Sequence, residues 1–119
     1  MESIERYVTH WRKRIQQQQQ RDRTRAESAL SDLSKVVDIL KKYDVKRIIL
    51  FGSLATGDYF RKNSDIDLAV EGLKGEDFLR AYADLMLALN WSIDLKPLEE
   101  ITGIFRETIL KRGKIIYEK

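Results

Sequence analysis

The chain has 119 residues, 43% of them hydrophobic and 34% charged, which is room for one domain with a modest core, and no apolar run approaches the length that spans a membrane. It has no cysteine and a single histidine, His10, so disulfides, thiolate metal sites and cysteine nucleophiles are excluded together, and zinc chemistry is not expected. Glu2, Glu5 and Arg6 stand where a leader peptide would be apolar, so the expected location is cytoplasmic.

The net charge of +3 is unevenly spread: residues 1–25 hold seven Lys or Arg against three acidic residues, a balance of +4, and the remainder is nearly neutral. Such a basic arm suits an acidic protein partner or nucleic acid, or is simply a solvated helix face. Within it Ile4, Tyr7, Val8, Trp11 and Ile15 recur at helical spacing and form one apolar stripe. Gln16–Gln20 follow as a helical spacer or a loop. An aromatic stripe in so small a chain needs cover, from the domain itself, a second copy or another protein, with RNA the weakest of these readings. The expected division is an arm over residues 1–25 and a single domain over 26–119.

A second helix is expected from Ala26 to Tyr43, with Leu30, Leu33, Val37 and Leu40 facing inward and Val36 and Ile39 widening that face. Arg47 to Phe51 then reads as a buried strand, because Ile48, Ile49, Leu50 and Phe51 form a short apolar run that Gly52 ends. Gly52 permits close backbone approach to a ligand, and Ser53 to Thr56 can start a helix whose free N–H groups suit a phosphate. A polar loop, 58–63, leads to a strand from Asp65 to Val70. There the period-2 alternation puts Asp65 and Asp67 on one face and Ile66, Leu68 and Val70 on the other.

Gly72 and Gly75 mark a turn before a helix over Glu76 to Asn90, whose inward residues are Phe78, Leu79, Tyr82, Leu85, Met86 and Leu89. Trp91 to Leu95 repeats the alternation: Trp91, Ile93 and Leu95 face one way, Ser92 and Asp94 the other. If the two aspartate strands are neighbours, Asp94 joins Asp65 and Asp67 on one face. A helix from Leu98 to Lys111, carrying Ile101, Ile104, Phe105, Thr108 and Ile109, ends at Gly113, and Ile115–Tyr117 forms a last short strand. Alternating strands and helices define an α/β (α+β) fold, a small mixed sheet covered by helices.

Three carboxylates within about 4–6 Å repel one another by roughly a few kcal/mol per pair at an effective dielectric near 20, which is expensive for a small domain. Something cationic should sit among them. Oxygen-only ligands select a hard cation, and Mg2+ bridging nucleotide phosphates is the usual occupant.

The pair G-S-x-A-x-G (Gly52 to Gly57) and S-D-x-D-L (Ser64 to Leu68) resembles the signature of the minimal nucleotidyltransferases of the DNA polymerase beta superfamily, over about residues 30–117. The resemblance implies that Gly52, Ser53 and Ser64 contact the nucleotide and that Asp65, Asp67 and Asp94 are catalytic and ligate Mg2+, two ions in all, with ATP as donor. Asp94 then helps to deprotonate the acceptor. Many relatives have Arg where this chain has Thr56, and Arg61 or Lys62 are the substitutes it offers. Larger members carry extra domains for their acceptors, whereas the minimal ones resemble MNT antitoxins paired with HEPN-domain RNase toxins. The function so implied is transfer of AMP from ATP to a tyrosine of a cognate HEPN toxin, with release of pyrophosphate. A homodimer or hetero-oligomer through the N-terminal helix fits that role, and neither membrane nor nucleic acid is expected as a partner. An aminoglycoside-type small-molecule enzyme working as a dimer, and a non-catalytic antitoxin that acts by binding, are the alternative readings.

Overall fold

The computed structural model describes residues 2–57 and 60–119, so Asp58 and Tyr59 of the expected 58–63 loop lie outside the described residues. The chain opens with one helix where two were expected: α1 runs unbroken over Glu2–Leu40. The stretch contains no glycine or proline, and glutamine has fair helix propensity, so nothing in Gln16–Gln20 stops the helix. Side chains tie that segment to the next turns, Gln18 Nε2 donating to Asp22 Oδ1 at 3.0 Å and Arg25 pairing with Asp22 at 2.9 Å. At about 1.5 Å per residue the helix is close to 58 Å long, which accounts for a molecule 64 Å in its longest dimension.

After α1 come β1 (Arg47–Phe51), α2 (Gly52–Thr56), β2 (Ile66–Glu71), α3 (Gly75–Ala88) and β3 (Ile93–Pro97). A 3-10 turn (Leu98–Glu100), α4 (Gly103–Arg112) and β4 (Lys114–Glu118) complete the chain. The four strands form one mixed sheet in the order β3-β2-β1-β4. β1 lies antiparallel to β2 and to β4, while β2 and β3 are parallel, with α3 as the crossover that a parallel pair requires. The expected α/β class and helical cover are therefore what forms. Among the described residues no helix is long and apolar enough to cross a membrane.

Both faces of the sheet are covered. On one, Ile48 and Leu50 of β1, Ile66, Leu68 and Val70 of β2, and Ile93 and Leu95 of β3 pack under Ala29, Leu33, Val36 and Leu40 of α1 and Ala81 and Leu85 of α3. On the other, a smaller cluster joins Ile49 and Ala69 to Leu98, Ile101 and Ile109. Several expected core positions shift by one helical step. Leu30 is exposed and Ala29 takes its place, Leu79 and Met86 are exposed while Ala81 is buried, and Ile104 faces out. In each case the helix has a wider apolar arc than the sheet covers, and docking selects which edge is buried. Trp91 sits ahead of β3, donating from Nε1 to Asp32 Oδ2 at 2.8 Å and so holding α1 to the sheet edge.

Leu68 is fully buried in the middle of β2. Truncating Leu68→Ala is expected to cost about 2–5 kcal/mol, read as a lower urea midpoint at unchanged slope.

Candidate active site

The registers of two strand pairs build the site. Phe51, the last residue of β1, is the cross-strand partner of Asp67, and Asp67 is in turn the partner of Asp94 on parallel β3. Phe51, Asp67 and Asp94 thus form one row across three strands, on the face that alternation leaves opposite the main core. The next row on that face is Ile49, Ala69 and Lys96, and there the second apolar cluster begins. The carboxylate row is therefore an open step at the edge of a covered floor.

Gly52 borders this row. Its φ is +75°, in the left-handed region, and a Cβ there would overlap Asp67 Oδ2 and lie 3.0 Å from its Cγ. The close approach expected of Gly52 is thus to the Asp67 carboxylate itself. The chain continues as the single helical turn of α2, which Gly57, also at positive φ, closes with a bond to Ser53 O at 3.0 Å.

Asp65 lies just ahead of β2 and is exposed, while Asp67 is half-buried. Burial, then the neighbouring charges of Asp94 and Asp65, push the Asp67 carboxyl up to about 6, with Lys96 opposing them. Lys96 is the residue that sequence reasoning missed. Two positions beyond Asp94 on the same face, it donates from Nζ to Asp94 Oδ2 at 2.7 Å, and that carboxylate holds the ammonium above its ordinary range. The cation that three aspartates require is thus partly supplied by the chain, and the spacing Asp94-x-Lys96 on a strand was the available signal. Ser64 belongs to the turn before the site, its Oγ accepting from Arg61 N at 2.8 Å.

A cleft of about 250 Å³ opens beside Gly52, lined by Phe51, Thr56, Phe105 and Arg112 among others, with Phe51 and Phe105 in edge contact at 5.7 Å. Among the described residues no three His, Cys, Asp or Glu side chains gather closely enough to cage a metal on their own. The donor set nevertheless fits Mg2+. That ion is commonly held by one or two carboxylates with substrate phosphates and water, and the raised Asp67 marks a carboxylate short of positive charge.

A glycine turn pressed against in-register carboxylates, on a mixed sheet with a cleft alongside, is the framework of a nucleotidyltransferase. The chain belongs to the polymerase beta nucleotidyltransferase family, whose model matches residues 34–119 and leaves most of α1 outside it. It is 33% identical over 82 residues to a Methanocaldococcus jannaschii protein assigned by inference as a protein adenylyltransferase, covering 66% of this chain and 87% of that one. A solved toxin-antitoxin structure with AMP-PNP aligns at TM-score 0.63 and 26% identity, over 72% of this chain and 73% of that one. The fold is also shared, at TM-score 0.56 and 22% identity over 85% of this chain and 73% of that one, with the structure of a tri-AMPylated Shewanella oneidensis HEPN toxin in complex with an MNT antitoxin.

Proposed function

We propose that this nucleotidyltransferase is an antitoxin that transfers AMP from ATP to a tyrosine hydroxyl of a cognate HEPN-type RNase toxin. The observation that carries the reading is the Asp67–Asp94 row beside Gly52, within a domain of the polymerase beta family. The relative assigned as a protein adenylyltransferase supports a protein acceptor, and the toxin-antitoxin structure with AMP-PNP supports an ATP-like donor. The Shewanella oneidensis complex, whose antitoxin shares this fold, supports a HEPN toxin as the acceptor.

In the proposed reaction the triphosphate is held at Gly52 and Ser53, with Gly52 on the cleft, and Arg112 on the cleft wall offers a guanidinium in the region where Thr56 supplies none. Asp67 and Asp65, with Asp94, would hold Mg2+, which offsets charge on the phosphates and on the departing pyrophosphate. The tyrosine oxygen bonds to the α-phosphorus as the bond from that phosphorus to the bridging oxygen breaks, and pyrophosphate leaves with the electron pair. Asp94, paired with Lys96 at 2.7 Å, takes the hydroxyl proton. Cytoplasmic residence and the use of two ions belong to the same proposal.

The test is to incubate the purified protein with Mg2+, ATP and the protein of an adjoining reading frame that carries a HEPN-like R-x4-6-H motif, and to read the intact mass of that partner. The expected result is added AMP mapping to tyrosine. An unmodified partner, in an assay where a known adenylyltransferase modifies its own substrate, would sink the reading.

A further inference from the structure

The N-terminal half of α1 leaves the domain with its apolar side uncovered. Ile4, Tyr7, Val8, Trp11 and Ile15 are 65%, 63%, 42%, 43% and 52% exposed, and by helical periodicity they continue the side that buries Ala29, Leu33, Val36 and Leu40 further along. Between them Gln18, Asp22 and Arg25 interrupt that side with polar groups. The uncovered stripe is therefore a bounded patch, and its spacing of four, three and four residues (Ile4, Val8, Trp11, Ile15) is that of a coiled-coil seam.

We propose that this patch pairs with the same patch of a second copy, the two helices running antiparallel about the point between Thr9 and His10. The stripe is its own complement in that arrangement. Ile4 meets Ile15 of the second copy, and Val8 meets Trp11 of the second copy, so the four seam residues close into four layers with none left over. The flanks match as well. On one side of the seam stand Glu5 and Arg12, and antiparallel pairing brings each Glu5 beside the other copy's Arg12, giving two symmetric ion pairs. On the other side stand Tyr7 and Arg14, and Tyr7 comes beside the other copy's Arg14. Arg14 already lies 5.1 Å from the centre of the Trp11 ring, so that flank is set for cation–π contact.

Charge decides for a second copy running in this direction. Parallel pairing leaves Glu5 without its arginine, whereas the antiparallel one uses it. The excess of basic charge does not oppose the contact, because Arg6 and Lys13 lie on the outer side of the helix and Arg21 and Arg23 lie past the overlap. The overlap covers about residues 2–17 and stops short of Ala29, Leu33, Val36 and Leu40, through which α1 packs on the sheet. The contact is isologous, as a two-fold dimer requires. It rests on the helix alone and does not depend on the catalytic reading.

Sedimentation equilibrium on the full chain, over a series reaching about 100 µM, tests it. The mass is expected to rise with concentration from the 14.0 kDa monomer toward twice that value. Glu5→Arg and Arg12→Glu should each weaken association about tenfold by placing like charges together, and the double variant should recover it. A mass of 14.0 kDa throughout would overturn the proposal. A dimer indifferent to both reversals, or one not recovered in the double variant, would overturn it as well.

Discussion

Replacing Asp67 by Asn is expected to lower nucleotidyl transfer by at least about 10²–10³-fold while raising the melting temperature of the metal-free protein. The two effects share one cause. The Asp67 carboxyl, ordinarily near 3.8, is pushed up to about 6 by burial and by the charges of Asp94 and Asp65. Between those two pH values the folded protein holds a proton that the unfolded chain has lost, so stability falls as pH rises from about 4 to about 6. Above that window the ionised carboxylate is a standing cost on the order of 1 kcal/mol, once solvent screening of this half-buried group is allowed for. Asparagine keeps the shape and removes the charge. Thermal melts of both proteins from pH 4 to pH 8 should therefore converge at the acid end and separate as pH rises. Addition of Mg2+ and nucleotide should reverse the order, stabilising the wild type by mass action and the variant much less. A variant that melts below the wild type at every pH would show that the carboxylate is not under electrostatic pressure.

Gly52→Ala is the second change with a large expected effect. The left-handed backbone disfavours any L side chain by about 1–2 kcal/mol, and the new methyl would occupy the space of the Asp67 carboxylate. The expected result is a loss of about 1–3 kcal/mol in urea unfolding, with transfer activity falling in parallel because Asp67 must swing out of its row with Asp94. A double-mutant cycle separates the two contributions. In an Asp67→Ala background the colliding oxygen and Cγ are gone, so Gly52→Ala should cost little beyond the backbone strain, and the two substitutions should be non-additive. Strict additivity would mean that Gly52 and Asp67 are not in contact, which would remove the close approach on which the site is built.

Much of this site was legible from local pattern. The period-2 alternation in Asp65 to Val70 and in Trp91 to Leu95 separates carboxylates from core residues whatever the strands pair with, and Ile66, Leu68 and Val70 are indeed fully buried. Gly52 after an apolar strand announced the strand's end and a close backbone approach for the same kind of reason, its missing side chain, although the group approached is the Asp67 carboxylate. The helices were harder to read. Each shows an apolar arc wider than the face it buries, so Leu30 and Ala29, or Leu79 and Ala81, cannot be told apart until the sheet is placed against them. The second core cluster was missed because Ala69 shares its strand face with Asp67, and only the packing of Leu98, Ile101 and Ile109 shows that this face is half covered.

The sequence by itself determined that the strands exist, the facing of Asp67 and Asp94, and the aptitude of residues 2–40 for helix, because these depend on backbone geometry and on residues within a few positions of one another. Asp65, expected on the strand, stands just ahead of it. Tertiary structure alone decided that Asp67 and Asp94 share a row, that Gly52 lies against the Asp67 carboxylate, and that Asp94 answers to Lys96. It also decided that the apolar side of α1 is half buried and half exposed. Those outcomes depend on strand order and register, which are set by the packing of the whole core, and the burial that lifts Asp67 to about 6 has no counterpart in the unfolded chain.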